Sequence, residues 1–443
     1  MQYNSIPFIF YFLPVFLAVY YIFPEKSRNG VLLIGSYLFL VLGAQGEIWR
    51  LGLLAGLTVV TFLAGKVLEE GKCRWVMAAC FVLMAGLLLF FKVYQHGMLI
   101  SPGMSFYLFQ MSAYLFDVRH KKLPAEQSLC RYATQIAMFP KFLSGPLMEP
   151  AELQLQTWGR GYLPRDFYQG LQELILGLGL KVLLADRLGG LWNQAAVVGY
   201  DSISTPFAWM ALAAYALRLY FDFLGYSVMA MGVGRMLGFE LPKNFDNPYA
   251  SRSVSEFYRR WHMTLGIWFR TYVYFPLGGS RGSLLKTVIN LGIVWLFTGI
   301  WHGIGWNYLI WAGFLFLLIV NEKLWLGKWL KRSRVLCHIY TPAVILLSWV
   351  PFAIEEPVQM IIFAGRLFGT TGVSINPLDF LSWSGRYGVL LLCGALLATP
   401  LPEKLWLRIR DKSVTAVMLF ALFWVIIYFL ATSSQDPFVY FQY

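Results

Sequence analysis

The stretch TVINLGIVWLFTGIWHGIGWNYLIWAGFLFLLIV, residues 287–320, decides the class of fold. Two apolar runs flank the short segment WHGIGW, residues 301–306. Counted as residues 284–301 and 305–321, both runs fall within the range of about 17–25 residues that crosses a bilayer as a helix. We therefore predict two membrane helices, with the titratable imidazole of His302 between them.

The rest of the chain has the composition of a membrane protein. Of its 443 residues, 58% are hydrophobic and 13% are charged, whereas about 25% charged residues is usual in a soluble domain. Apolar segments recur along the whole chain with no polar block between them, so we predict one membrane domain over residues 1–443. The candidate spans are residues 7–23, 31–45, 49–66, 75–92, 130–147, 168–196, 205–232, 284–301, 305–321, 335–352, 386–401 and 413–431.

The net charge of +13 fits membrane topology better than nucleic-acid binding. Lys and Arg concentrate in short segments between apolar runs, as the positive-inside rule describes. If the basic linkers are cytoplasmic, both termini are extracytoplasmic. The five cysteines are scattered and form no metal-type spacing with the histidines, so we predict neither a disulfide framework nor a metal site. The basic linkers are residues 24–29, 68–74, 327–334 and 402–412.

Two stretches do not read as simple spans. Residues 101–122 begin with a Pro-Gly break and contain polar Gln110 and Ser112, while residues 244–282 are both aromatic and strongly basic. Irregular backbone at membrane depth persists only where protein or a water-filled cavity satisfies it. We predict that both stretches are interfacial or re-entrant and line a cavity.

The basic stretch contains a helix start signal. Ser253 and Glu256 have the spacing of a capping box, which predicts a helix from Val254 to about Phe269. On this helix Glu256 and Arg260 are four residues apart and can form an ion pair, with Arg259 beside them. The cations either bind lipid phosphate at the membrane surface or receive an anionic cosubstrate.

A second set of ionisable residues lies inside the apolar run 205–232. Arg218 and Asp222 are one helical turn apart, and ionisable groups within a span usually face the interior of the bundle and find a partner. A structural ion pair is the favoured interpretation. A lining of the reaction cavity is the alternative.

His302 is the sharpest candidate for chemistry. A histidine on an apolar face is more often a satisfied core residue than a catalytic one. Three features favour catalysis: an ordinary pKa of about 6.5, which suits general-base work; neighbouring glycines, which allow close approach of a ligand or another backbone; and a second histidine, His262, in the basic stretch.

Five ordered blocks resemble the membrane-bound O-acyltransferase superfamily, in its branch of alginate O-acetylation proteins and D-alanyl exporters. They are SPGMSFYLFQMSAYLFDV, FPKFLSGPLM, LGLKVLLADRL, the long block from YFDFLGY to YFPLGG (220–279), and GIWHGIGWNYLIWAG. The resemblance implies an all-α polytopic fold with roughly 11–12 membrane helices plus re-entrant or interfacial helices around a central tunnel or funnel. It also implies a catalytic core segment at 244–321, with His302 catalytic and His262 a second functional histidine.

The resemblance further implies a donor and a partner. Members of this branch take an acyl group from a cytoplasmic thioester, acetyl-CoA in the acetylating types, and pass it outward to a polysaccharide through an SGNH-type acyltransferase. Arg259, Arg260 and Arg270 would hold the donor phosphates, and Asn307 is a weaker candidate for polar support. No bound cofactor is expected, and the expected location is a bacterial plasma membrane. The alternatives are export of D-alanyl from a carrier protein, and a non-enzymatic transporter or scaffold.

The C-terminal tail, residues 433–443, ends in PFVYFQY. It resembles the terminal aromatic motif associated with acyl relay in this branch, which makes Tyr440 a candidate acyl carrier and Tyr443 the fallback. The alternative is an aromatic belt at the membrane boundary.

Overall fold

The computed structural model describes residues 1–43, 47–71, 75–94, 103–142, 145–159 and 163–432, and all regular secondary structure in these ranges is helical. The predicted all-α class is thereby confirmed. The tail with Tyr440 and Tyr443 lies outside the described residues. The helices are α1 (Leu13–Ile22), α2 (Arg28–Gly43), α3 (Trp49–Glu69), α4 (Trp75–Tyr94), α5 (Met104–Arg119), α6 (Leu129–Ala137), α7 (Phe139–Phe142), α8 (Pro150–Trp158), α9 (Pro164–Gly179), α10 (Asp186–Val198), α11 (Thr205–Met236), α12 (Val254–Arg260), α13 (Met263–Phe269), α14 (Leu284–His302), α15 (Trp306–Asn321), α16 (Gly327–Arg332), α17 (Arg334–Ala353), α18 (Pro357–Leu367), α19 (Asp379–Leu397), α20 (Leu401–Ile409) and α21 (Ser413–Thr432).

Short segments of π-helix or 3₁₀-helix extend or join several of these helices. The π-helical segments are Phe8–Phe12, Leu180–Ala185, Arg270–Tyr274 and Glu322–Leu326, and the 3₁₀ segments are Glu25–Ser27 and Pro248–Ala250.

Within the described residues, eight helices are long and apolar enough to cross a membrane. Each corresponds to one of the twelve candidate spans. The number is smaller than the 11–12 predicted because four apolar runs do not form such helices. The eight are Trp49–Glu69, Trp75–Val93, Thr205–Met236, Leu284–His302, Trp306–Arg332, Arg334–Ala353, Asp379–Leu397 and Ser413–Thr432.

The four exceptions have separate physical causes. Residues 7–23 form the short apolar helix Phe8–Ile22, and the described part of 31–45 lies in α2, which has 16 residues. The run 130–147 breaks at Met138, whose ψ of 120° ends α6 after nine residues, and α7 has only four. The run 168–196 is helical but has Lys181 and Asp186 in its middle, and it is not one of the eight candidates.

The chain forms two compact units, each assembled from separate segments. Unit 1 comprises residues 1–178, 225–243 and 423–434, and unit 2 comprises residues 179–224, 244–422 and 435–443. The predicted single membrane domain therefore stays a prediction.

In unit 1, α5 occupies most of the stretch predicted to be re-entrant or interfacial. It is a regular helix whose Tyr107, Gln110 and Met111 are buried. Gly103 precedes it with a φ of 82°, and a Cβ at this position would collide with the carbonyl oxygen of Phe142. Glycine is required there by both the left-handed backbone and the close approach.

In unit 2, α15 packs against both α14 and α17, and α12 packs on α15 and α17. Gly299 allows the contact between α14 and α15, because a Cβ there would lie 2.9 Å from the Cβ of Ala312 and 3.2 Å from the carbonyl oxygen of Tyr308. This group of helices carries the candidate site.

The N-terminus of α12 is held by a carboxylate from the end of α15. The side chain of Glu322 is buried and accepts hydrogen bonds from the backbone N–H groups of Val254 and Ser255, at 2.6 and 3.0 Å. The Ser255 hydroxyl donates to the same carboxylate at 2.8 Å. An anion at the first turn satisfies the open N–H groups and complements the helix dipole, so Glu322 fixes where the basic helix begins.

Candidate functional site

His302 is the last residue of α14, and its side chain is 7% exposed. Aromatic rings surround the imidazole: the ring centroid of Trp301 lies 4.5 Å away, that of Trp311 4.9 Å and that of Phe352 5.2 Å. Trp311 comes from α15 and Phe352 from α17, so three packed helices together position the imidazole.

The glycines after His302 make room for the chain itself. Gly303 is extended, and a Cβ at this position would overlap the ring of Tyr308. That ring stacks near His302 with centroids 6.3 Å apart and planes 22° apart. The sequence left open whether a ligand or another part of the protein approaches these glycines, and the structure shows an approach by Tyr308.

His262 lies where the predicted helix 254–269 breaks. Its φ of 45° and ψ of 54° are left-handed, so α12 ends at Arg260 and α13 begins at Met263. The prediction of one continuous helix was wrong, because Asn244 binds the broken turn. The backbone N–H of Met263 donates to the Asn244 carbonyl oxygen at 2.8 Å, and the Thr264 hydroxyl donates to its side-chain oxygen at 2.6 Å.

The start of that helix was predicted correctly. The Ser253 hydroxyl accepts a hydrogen bond from the backbone N–H of Glu256 at 3.0 Å, which confirms it as the N-cap. The Glu256 carboxylate accepts the N–H of Arg252 rather than that of Ser253, so the return bond is shifted by one residue. The predicted pair of Glu256 with Arg260 is also confirmed, at 2.7 Å.

The left-handed turn places the His262 side chain among aromatic rings. It is 4% exposed, and its ring centroid lies 4.7 Å from that of Phe223 and 6.1 Å from that of Trp301. Burial lowers the pKa of His262 to about 3. Its imidazole is therefore neutral throughout the physiological pH range.

Both histidines line one cavity of about 1240 Å³. Small-molecule sites usually measure roughly 300–1,000 Å³, so this cavity has room for a long substrate. Apart from the histidines, its buried wall is mainly aromatic and apolar. Buried wall residues include Trp261, Leu265, Phe269, Trp311, Trp349 and Phe352.

The other wall of the cavity is cationic and exposed. Seven Lys and Arg side chains line it, against two acidic ones, Glu256 and Glu322. All seven cations are exposed, whereas both histidines are buried. We call the seven the basic mouth; they are Arg252, Arg259, Arg270, Lys323, Lys328, Lys331 and Arg334.

The cavity follows the membrane-spanning helices for much of their length. Trp311 and Lys328 both line it and lie on one helical stretch, Trp306–Arg332. A helix rises about 1.5 Å per residue, so about 25 Å separates these two positions along the axis. On α17, Arg334 and Phe352 line the cavity near opposite ends of the helix. The Lys328 and Arg334 end of the basic mouth and the wall around His302 are therefore separated by nearly the thickness of a bilayer core.

Sequence similarity assigns the chain to one protein family. A sequence profile of the membrane-bound O-acyltransferase family matches residues 68–349. The chain belongs to this family. With eight apolar helices in the part of the chain that the structure describes, it is a multi-pass membrane acyltransferase.

The relatives of this acyltransferase include named O-acetylating enzymes. A probable alginate O-acetylase of Pseudomonas aeruginosa is 35% identical over 79% of the chain and 69% of the relative. A probable alginate O-acetylase of Pseudomonas putida is 30% identical over the full length of both proteins. A peptidoglycan O-acetyltransferase of Helicobacter pylori is 29% identical over 85% of the chain and 81% of the relative.

Of the three arginines predicted to bind the donor, two line the cavity of the acyltransferase and one does not. Arg259 and Arg270 belong to the basic mouth. Arg260 is not among the lining residues, and its guanidinium pairs with Glu256. A four-residue spacing reveals that pair, but it does not reveal which of two adjacent arginines faces the cavity.

The predicted supporting residues lie apart from the cavity wall. Asn307 is 2% exposed in the first turn of α15 and is not a lining residue. Asp222 pairs with Lys181 at 2.7 Å, and Lys181 also pairs with Asp186 at 2.6 Å. The guanidinium of Arg218 packs over Gly189, where a Cβ would lie 2.8 Å from its Cζ.

Sequence reasoning missed several residues of the site. Lys328, Lys331 and Arg334 belong to the basic linker 327–334, which was interpreted only as a topology signal. Sequence reasoning also missed Lys323 and Glu322, which lie just before that linker. Two charged residues directly after an apolar run were the available signal, since such positions are costly within a bilayer.

Proposed function

We propose that the chain takes an acetyl group from cytoplasmic acetyl-CoA and passes it across the membrane for O-acetylation of an extracellular polysaccharide. The observation that carries the proposal is the cavity that joins an exposed basic mouth to the buried His302. The relatives named O-acetylases favour acetyl as the acyl group.

The basic mouth fits the polyanionic end of a nucleotide thioester. Lys and Arg side chains bind phosphate through charge-assisted hydrogen bonds, and seven of them line the cavity wall. The acyl end of a donor held there would extend along the cavity toward Trp311 and His302. The positive-inside rule assigns the linker 327–334 to the cytoplasm, so we place the mouth on that side and both termini on the other.

His302 acts in this proposal as general base. It removes the proton from an acceptor hydroxyl, and the oxygen attacks the thioester carbonyl carbon. Burial lowers the pKa of the His262 imidazole to about 3, which makes it a poor base at neutral pH. We assign His262 to orienting the donor or acceptor, and Asn307 to polar support near the start of α15.

The proposal also includes an acceptor and later steps on the outer side of the membrane. Tyr440, in the tail beyond the described residues, is the proposed first acceptor, and an SGNH-type acyltransferase outside the membrane is the proposed partner that completes transfer to the polysaccharide. The location that fits is a bacterial plasma membrane.

The test uses purified protein with its co-purified partners and radiolabelled acetyl-CoA. Wild-type protein should release CoA and label either the chain or a partner. His302→Ala should lower this turnover by about 100-fold or more, the typical contribution of a general base. His120→Ala is the matched control, because His120 is exposed and does not line the cavity. Wild-type turnover by His302→Ala would contradict the proposal.

The relay through Tyr440 has its own test. Mass spectrometry of the C-terminal peptide under turnover should find an acetylated tyrosine in wild-type protein and none in Tyr440→Phe. Tyr443→Phe is the matched control. Acetylation lost only in Tyr443→Phe would move the acceptor to that residue, and no acetylated peptide in any protein would favour direct transfer to the partner.

The alternative acyl group is D-alanyl, delivered by a carrier protein. A carrier-bound thioester has one phosphate on its pantetheine arm, whereas CoA also carries a phosphorylated nucleotide. The number of cations in the basic mouth favours CoA. Competition for the labelled donor by free CoA, and not by a phosphopantetheine-loaded carrier protein, is the expected result.

A further inference from the structure

The indole N–H of Trp311 is a buried donor in the wall of the cavity. Trp311 is 2% exposed and lines the cavity, and its ring centroid lies 4.9 Å from that of His302. Among the described residues, no hydrogen-bond acceptor meets its Nε1. An indole nitrogen can only donate, and a buried donor left without an acceptor destabilises the protein.

Other tryptophans of the chain use this group for structure. The Nε1 of Trp209 donates to the carbonyl oxygen of Leu367 at 2.8 Å, and that of Trp158 donates to the Glu126 carboxylate at 2.9 Å. Within the described residues, the cavity wall holds a second unused indole donor, the Nε1 of Trp349, whose ring centroid lies 6.4 Å from that of Trp311. Trp311 therefore keeps a donor beside His302 that no described residue of the protein uses.

We propose that Trp311 is a second catalytic residue, which donates its indole N–H to the carbonyl oxygen of the acyl thioester. This inference rests on the proposed function. The carbonyl oxygen is an acceptor, and it becomes a stronger one as negative charge develops on it during attack. A fixed donor in a wall of aromatic rings stabilises that charge more than water does, because little reorganisation is needed.

The step balances as follows. The acceptor hydroxyl gives its proton to His302, and its oxygen forms a bond to the carbonyl carbon. The π electrons of the carbonyl move to its oxygen, which accepts the hydrogen bond from Trp311. When the tetrahedral intermediate collapses, the carbon–sulfur bond breaks and CoA leaves as a thiolate that takes the proton from the His302 imidazolium. The products are the acetyl ester and CoA.

The first experiment removes the indole N–H of Trp311 in two ways, one that changes the shape of the side chain and one that preserves it. Trp311→Phe should lower kcat by roughly 100-fold with little change in KM, as loss of one oxyanion donor does. Replacement of Trp311 by benzothienylalanine, whose ring has sulfur in place of the N–H, should give the same loss while it preserves the packing. If Trp311→Phe does not fold, the benzothienylalanine protein alone carries the test.

The second experiment measures binding, which a merely structural role for Trp311 would not change selectively. Two unreactive analogues of acetyl-CoA are compared: one has a ketone in place of the thioester, and the other, S-ethyl-CoA, has no carbonyl. Wild-type protein should bind the ketone more tightly than S-ethyl-CoA, and this ratio should fall toward one in the benzothienylalanine protein. Trp209→Phe, which loses an indole hydrogen bond outside the cavity, should keep the wild-type ratio.

The outcomes separate this inference from the proposed function. If His302→Ala is inactive and the Trp311 proteins retain wild-type kcat, the role of Trp311 is wrong and the proposed function stands. If His302→Ala is also active, the proposed function itself fails. An unchanged analogue ratio with a lower kcat would make Trp311 a packing residue.

Discussion

His262 and His302 share one aromatic neighbour, the indole of Trp301, whose ring centroid lies 6.1 Å from that of His262 and 4.5 Å from that of His302. The orientation of both imidazoles depends on this ring. Trp301→Ala should therefore lower kcat at least 10-fold and reduce stability by about 3 kcal/mol, as loss of a large buried ring does. Thermal unfolding in detergent and the acetyl-transfer rate check both effects. The kcat and the stability of Trp301→Phe should lie between those of Trp301→Ala and wild type. A wild-type kcat in Trp301→Ala would show that neither imidazole needs the indole.

The basic mouth should control donor affinity rather than the chemical step. Lys331→Glu should raise KM for acetyl-CoA roughly 3- to 10-fold with kcat little changed. The side-chain charge at position 331 acts on a donor phosphate near the surface, where such an interaction is worth about 1 kcal/mol. Arg332→Glu is the matched control, since Arg332 is adjacent and exposed but is not a lining residue. Steady-state kinetics at low and high salt distinguish the effects of the two substitutions. Equal effects of both substitutions would indicate a general surface potential instead of a site.

The neighbours Arg259 and Arg260 should differ in the same assay. Arg259 lines the cavity, whereas Arg260 pairs with Glu256. Arg259→Ala should raise KM several-fold, and Arg260→Ala should lower stability by about 0.3–0.5 kcal/mol, the usual contribution of a helix pair one turn apart, with KM unchanged. The reverse pattern would restore Arg260 as a donor-binding residue.

The ion pair of Lys181 and Asp222 should be important for folding. Both side chains are buried, at 1% and 2% exposure, and their charged atoms lie 2.7 Å apart. Asp222→Leu removes the more deeply buried of the two carboxylates paired with Lys181 and leaves that of Asp186, so we expect a loss of about 3 kcal/mol or more. The double variant Lys181→Met with Asp222→Leu should recover part of that loss. Yield of folded protein and thermal unfolding measure the difference, and no recovery would show that the pair is not the reason for the loss.

Acid should destabilise the protein in part through His262. Its pKa is about 3 in the folded chain and about 6.5 in an unfolded one. Between these values the unfolded state binds a proton that the folded state does not, so stability falls as pH decreases from about 6.5 toward 3, by up to about 1.4 kcal/mol per pH unit. His262→Asn removes the titrating group, and its unfolding temperature should depend less on pH between 7 and 4.5. Parallel pH curves for the two proteins would refute the buried neutral imidazole.

Predictions from local signals in the sequence concerned single helices and their ends. The spans at 284–301, 305–321 and 335–352 were predicted because hydropathy and length act within one segment, and the N-cap Ser253 followed from a four-residue pattern. The pair of Glu256 with Arg260 was equally local. The spans at 130–147 and 168–196 were predicted less well, since average hydropathy does not register a backbone break at Met138 or the ion pairs of Lys181.

The composition of the site was decided by tertiary structure. The amino-acid sequence alone predicted that His302 lies in a short segment rich in Gly and Trp between two membrane helices, with a basic stretch upstream. It did not reveal that His262 adopts a left-handed turn, because that conformation depends on hydrogen bonds that Asn244, 18 residues earlier in the chain, accepts from Met263 and Thr264. Nor did it determine that Lys328 and Arg334 complete a mouth with Arg259. Those contacts join residues far apart in sequence, and only the packing of α12, α14, α15 and α17 brings their side chains to one cavity.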